Sequence, residues 1–271
     1  MLNANALKLA LLASLVCGPA LAGPLEDGSA AYARGDYQSA MRFLSPLANQ
    51  GNPIAQYNMA VMFDRGEGVQ KNDTEAVRWY SFAAAKGDAN AENNLAGKYA
   101  AGQGVAQDYA QAIQWFKRAA AQGHADAENN LGVLYATGKG TTQDYTEAAR
   151  LFRLAAAKGH ASAQSSLGDI YRNGNGVANN PTEALRWYRM GADQGNAAAL
   201  QHLGDMYASG EGVTLDRVQA HKWLSLAAQR YSPGETTQRD AAVKNRDALL
   251  AKMTMSEVAE AEKQARAWRP R

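Results

Sequence analysis

The feature that most limits what this chain can fold into is internal repetition: from Gly51 onward one 36-residue unit is written five times. Gly51, Gly87, Gly123, Gly159 and Gly195 open the units. Gly66, Gly102, Gly138, Gly174 and Gly210 recur at one internal position, with Gly68, Gly104, Gly140, Gly176 and Gly212 two residues later. Trp79, Trp115, Leu151, Trp187 and Trp223 share another. A fixed period of about 20–50 residues marks stacked supersecondary units, none of which buries its apolar face alone. The core then lies between neighbours, and the stack presents a long surface to a partner.

Within a unit the local signals are helical. In 87–122, Asp88 is a good N-cap, and Ala91, Leu95 and Tyr99 follow at the spacing of one helix face. Gly102 and Gly104 end that helix. Asp108 then caps a second one whose apolar stripe is Ala112, Trp115, Phe116, Ala119 and Ala120. Each helix is expected to run about 13 residues, or about 20 Å. The second caps are Asn72, Asp108, Asp144, Asn180 and Asp216, and Glu75, Gln111, Glu147, Glu183 and Gln219 stand three residues on, placed to reach back to them. Pro53 and Pro181 sit at first helical positions, where a missing N–H costs nothing.

The flanks are helical but different. Tyr32, Gly35, Asp36, Tyr37, Ala40, Leu44 and Leu47 form a hairpin with a shorter turn. After the break at Pro233 and Gly234, one helix is expected over 238–253. A second opens with the capping box Thr254-Met255-Ser256-Glu257. The expected organisation is a leader at 1–22, an N-terminal capping hairpin at 23–50, units at 51–86, 87–122, 123–158, 159–194 and 195–230, and C-terminal capping helices at 231–271.

The pattern Leu131-Gly132, Tyr135, Gly138, Gly140, Asp144, Ala148, Phe152 and Ala155-Ala156, repeated with mild departures, resembles the Sel-one-like repeat, a relative of the tetratricopeptide repeat. The departures are Met59-Ala60 and Phe63 in the first copy, with Leu151 and Thr141 in the third. The resemblance implies an all-α fold, a right-handed α-solenoid of stacked helical hairpins. It also implies an adaptor, regulator or inhibitor rather than an enzyme; one subgroup of the family serves as periplasmic immunity proteins against phospholipase toxins. The cysteine-rich members linked to β-lactam hydrolysis are a poor match, because this chain lacks their cysteines.

Composition narrows the partners. The net charge is +2 for the whole chain and +1 without Lys8, which argues against nucleic acid. Lys8, the apolar run 9–16, Gly18-Pro19 and Ala20-Leu21-Ala22 read as a cleavable export leader, too short to span a bilayer, which takes about 20 apolar residues. The expected location is periplasmic, with no transmembrane span. Cys17 is preceded by Val16 rather than by a small residue, which disfavours lipid attachment, and cleavage after Ala22 leaves no cysteine for disulfides, zinc or nucleophilic chemistry.

No cofactor or metal is expected. Gly138-Lys139-Gly140-Thr141 lacks the P-loop order and follows a helix. His124 and His160 occupy cap positions one unit apart, about 10 Å and too far for a shared zinc shell. No Ser–His–Asp set is suggested. The informative positions are instead those that vary between copies and, at 100° per residue, face away from the core. By similarity to tetratricopeptide domains this face lines the concave groove. The expected protein-binding residues are Tyr57, Val61, Arg65, Asn90, Asn93, Asp126, Asn129, Ser165, Asp169, Gln201 and Asp205. Asn93 and Asn129 are suited to hold a peptide backbone. The expected function is a non-catalytic, monomeric, exported module that clasps one protein partner: a toxin it inhibits, a sensor, or an envelope component. An envelope or polysaccharide-export scaffold is the first alternative, and a cell-wall hydrolase a more distant one.

Overall fold

Side-chain caps fix where the helices of the repeats start. Asn52, Asp88, His124, His160 and Asn196 each accept the backbone N–H three residues on. Asn72, Asp108, Asp144, Asn180 and Asp216 do the same at the second helices. The computed structural model describes residues 23–271, and the leader expected at 1–22, Cys17 included, lies outside the described residues. The described residues form helices and no strand. In order these are α1 (Pro24–Ala33), α2 (Tyr37–Asn49), α3 (Pro53–Arg65), α4 (Asp73–Ala85), α5 (Ala89–Ala101), α6 (Tyr109–Ala121) and α7 (Ala125–Thr137). They continue with α8 (Tyr145–Ala157), α9 (Ala161–Asn173), α10 (Pro181–Asp193), α11 (Ala197–Ser209), α12 (Arg217–Arg230), α13 (Thr236–Leu250) and α14 (Met255–Ala267). From α1 to α13 each helix packs on the next, and α14 packs on α12, so the hairpins stack in chain order as a solenoid.

The two glycines of a hairpin turn have separate duties. Gly102 is left-handed, with φ of 68°, and its N–H closes α5 onto the Lys98 carbonyl. Gly104 is needed for contact: a Cβ there would stand 2.2 Å from the Asp73 carbonyl oxygen at the start of α4. The turn of one unit therefore rests on the second helix of the unit before it. The Asp108 N–H donates to the Tyr99 carbonyl at 2.9 Å and closes the loop.

Alanines set the spacing. Ala55, Ala91, Ala127, Ala163 and Ala199 on the first helices, with Ala76, Ala112, Ala148, Ala184 and Ala220 on the second, are all wholly buried. Leu95, Leu131, Leu167 and Leu203 fill the space between them; each such buried side chain contributes roughly 1.5–3 kcal/mol. Trp79, Leu151, Trp187 and Trp223 are buried, while Trp115 is half-buried against two successive core clusters.

Two local expectations are corrected. Glu75, Glu147 and Glu183 do not reach back to their caps, because the Asn72, Asp144 and Asn180 N–H groups already donate to the Phe63, Tyr135 and Tyr171 carbonyls; the glutamates pair instead with Arg78, Arg150 and Arg186 one turn on. The reciprocal capping box forms at Thr254 and Glu257. The helix expected over 238–253 is α13, two residues earlier at its start and ending at Leu250, where the Lys252 N–H turns back to the Leu249 carbonyl. Beyond α14, Trp268 lies edge-on to Trp223 with ring centroids 6.3 Å apart, and the Arg271 N–H donates to the Asp193 carbonyl at 2.7 Å.

Candidate binding trough

The first helices α3, α5, α7, α9 and α11 share one face, along which three clefts of about 410, 250 and 210 Å³ follow one another. The first and second share Gly97 and Asn130, and the second and third share Val133, so they form one continuous trough. Its middle is apolar: Gly97, Ala100, Val133, Leu134 and Ala136, with Phe116 and Phe152 beneath.

One end is a relay of polar side chains. Asn129 donates to Asn130 at 3.4 Å, Asn130 to Asn93 at 3.4 Å, Asn93 to Asn94 at 3.2 Å, and Asn94 to the Tyr80 hydroxyl at 3.3 Å. Tyr80 donates in turn to Asp64 at 3.3 Å. Burial, together with the Asp64 charge, pushes the Tyr80 phenol well above its ordinary range. Lys98, 6% exposed, bonds Asp64 and stands 2.8 Å from Asp73, joining two units at this point. Burial alone would lower the Lys98 ammonium, but the bonds to Asp64 and Asp73 outweigh it and the group is held higher.

The third cleft reaches Asp169 at the other end, and Asp205, one unit further along the same helix position, lies beyond its lining. Asp169 accepts the Tyr188 hydroxyl at 2.6 Å and lies 3.4 Å from His202 Nε2, whose ring stacks on Tyr188 with centroids 5.0 Å apart. Asp205 accepts Asn245 of α13 at 2.9 Å, and burial pushes its carboxyl up. Arg172 is taken bidentately by Glu211 at 2.7–3.1 Å.

The residues expected on this face divide. Val61 lines the first cleft with Arg65 on its rim, Asn93 is central to the relay, and Asp169 lines the third cleft. Tyr57 is half-buried against Tyr80, and Gln201 accepts the Tyr231 hydroxyl. Val61, Asn129 and Ser165 were expected to point outward, but they are buried at 7%, 8% and 5% exposure, because the neighbouring unit packs over that part of the helix. Asn90 and Asp126 sit at the helix starts, reached by His124 and His160 of the following unit at 3.1 and 3.2 Å. Asn94, Asn130, Asp64, Lys98, Ala136 and His202 escaped the sequence reading. The doublets Asn93-Asn94 and Asn129-Asn130 were the available signal.

Among the described residues no group of three or more His, Cys, Asp or Glu side chains is placed to hold a metal, and no helix is long and apolar enough to cross a membrane. The model of the Sel1 repeat matches residues 21–52, 53–88, 89–124, 125–160, 161–196 and 197–232. The chain belongs to the Sel1 repeat family. The first matched segment overlaps α1 and α2, so the Sel1 repeat extends into the N-terminal hairpin. No curated protein sequence matches the chain. Among solved structures, a Sel1 repeat protein from Oxalobacter formigenes is 34% identical over 89% of this chain and 98% of its own, with a TM-score of 0.75. A protective antigen of uropathogenic Escherichia coli with this fold is 27% identical over 90% of this chain and 68% of its own, TM-score 0.43. An immunity protein from Pseudomonas aeruginosa is 19% identical over 83% and 82%, TM-score 0.47. The last two illustrate the repeat alone.

Proposed function

We propose that this Sel1 repeat chain is a non-catalytic protein-interaction module that holds one segment of a protein partner along the first-helix trough. The observation that carries the reading is the continuity of the three clefts across successive units, with an apolar floor bounded by polar side chains. Residues 23–50 and 231–271 serve as its terminal caps. A solenoid of this kind recognises its partner by shape and by hydrogen bonds along a long contact, and needs no enclosed reaction site. The leader read at 1–22 supports the finer proposal of an exported, monomeric inhibitor or immunity protein acting on a secreted toxin such as a phospholipase, or of a regulator of an envelope component.

The test is a photo-crosslinking residue placed at Ala136 in the trough or at Phe82 on an exposed second-helix surface, each in the full chain in its own cells. A single protein adduct from position 136, competed away by unlabelled chain and absent from position 82, supports the reading. Equal adducts from both positions, or none from the trough, refute it. Mass determination of the mature N-terminus decides export: a chain beginning at Gly23 supports it, and retention of Lys8 rejects it.

A further inference from the structure

The trough is not uniform along its length. The eleventh residue of successive units forms a column, Val61, Gly97, Val133, Asp169 and Asp205, and this column turns from apolar to acidic between the third and fourth units. The charges at its two ends are balanced differently. At the first end Lys98 serves both Asp64 and Asp73, and Arg65 stands 3.8 Å from Glu67. At the second end the nearby guanidinium, Arg172, is held by Glu211. Asp169 is left with the Tyr188 hydroxyl and the His202 ring, and Asp205 with the Asn245 amide and the more distant charges of His202 and Arg172; neither is hydrogen-bonded to a lysine or arginine. A half-buried carboxylate with no lysine or arginine in contact is under-compensated, and a guanidinium or ammonium from outside would satisfy it.

From this polarity we infer that the occupant is an extended peptide segment of the partner, carrying an apolar side chain for the Gly97–Val133 floor and cationic side chains for Asp169 and Asp205. The inference rests on the trough being the binding surface. Neighbouring units lie about 10 Å apart and an extended chain advances about 3.3 Å per residue, so one unit corresponds to about three residues of the occupant. The recognised pattern is therefore one apolar and two basic residues, each three apart. The raised carboxyl of Asp205 agrees with this, since a cation beside it would offset the burial.

The test uses two blocked synthetic peptides on the full chain, Leu-Ser-Ala-Arg-Ser-Ala-Arg and the same peptide with both arginines replaced by glutamate. Affinity is read by titration and the binding position by backbone chemical shifts. The expected result is binding of the arginine peptide with shifts at Val133, Asp169 and Asp205, weakened roughly tenfold by Asp169→Asn or by Asp205→Asn and by added salt. Both substitutions keep the acceptor oxygen for Tyr188 or Asn245, and unchanged helical circular dichroism confirms that they fold. If the arginine peptide binds no better than the glutamate peptide, absence of binding included, or binds without regard to either substitution, the inference is overturned. A positive crosslink from Ala136 together with that outcome removes the polarity while the trough itself stands.

Discussion

Lys98 of α5 places its ammonium 2.8 Å from Asp73 of α4, so that a buried cation fastens the second helix of one unit to the first helix of the next. Asp64 takes the same ammonium.

Lys98→Met is expected to destabilise the chain by about 2 kcal/mol in urea unfolding. That is less than for a fully buried pair, because the two aspartate side chains are 27% and 32% exposed and water screens what is left behind. Lys98→Met combined with Asp64→Asn should recover part of the loss, because one unpaired carboxylate is then gone.

The same contact sets an acid limit. The bond from Lys98 holds the Asp73 carboxyl below its usual range. A depressed carboxylate contributes stability that is fully present above its unfolded pKa and lost as pH falls through the folded value, here below about pH 4. Unfolding midpoints measured from pH 6 to pH 2.5 should fall more steeply for the natural chain than for Lys98→Met. Parallel curves would remove Lys98 as the cause.

His221 gives a second dependence on the acid side, setting in at higher pH. It is buried on α12 beside Ser225 at 3.5 Å, and lines a cavity of about 540 Å³ with Arg246 and Asp247 of α13 and Glu262 and Arg266 of α14. Burial, and then the Arg246 charge, lower its pKa, while Glu262 and Asp247 oppose them. The unfolded chain therefore binds this proton first, and stability declines as pH drops below about 6.5. Protection factors of the α13 and α14 amides, corrected for the intrinsic pH dependence of exchange, should fall between pH 7 and pH 5, and His221→Gln should abolish that change.

Gly104→Ala should cost more than Gly87→Ala, although both residues are left-handed with φ of 72° and 85°. The left-handed backbone alone costs about 1–2 kcal/mol for a residue with a Cβ. At Gly87 nothing lies within 4 Å, whereas at Gly104 the Cβ would meet the Asp73 carbonyl at 2.2 Å. Equal loss of thermal midpoint in the two variants would show that the contact between units is softer than its geometry.

The repeat was legible because punctuation and period agree: caps, glycines and the buried alanines return every 36 residues. The trough was legible only in part. Counting at 100° per residue put Val133 and Asp169 on the face that lines the clefts, while Val61, set outward by the same count, is buried. It also sent Asn129 and Ser165 outward, although both are buried. A single-helix projection knows nothing of the neighbour that covers one flank of that helix. Nor could it find Asn245, which reaches Asp205 from α13, outside the repeating pattern and 40 residues away. The carboxylates Glu92 and Glu128 show the same limit: their partners are Arg118 on the companion helix and Lys158 at the C-cap of the companion helix, which a sequence ordered by period does not reveal.

Trp268 returns onto Trp223 of α12, and the Arg271 N–H reaches the Asp193 carbonyl at the end of α10, so the segment after α14 lies back over the last repeat. A solenoid left open at that edge would offer the next copy of itself a ready landing place, and head-to-tail addition would continue without a natural stop. The indole laid edge-on against Trp223 occupies apolar surface that such a neighbour would need.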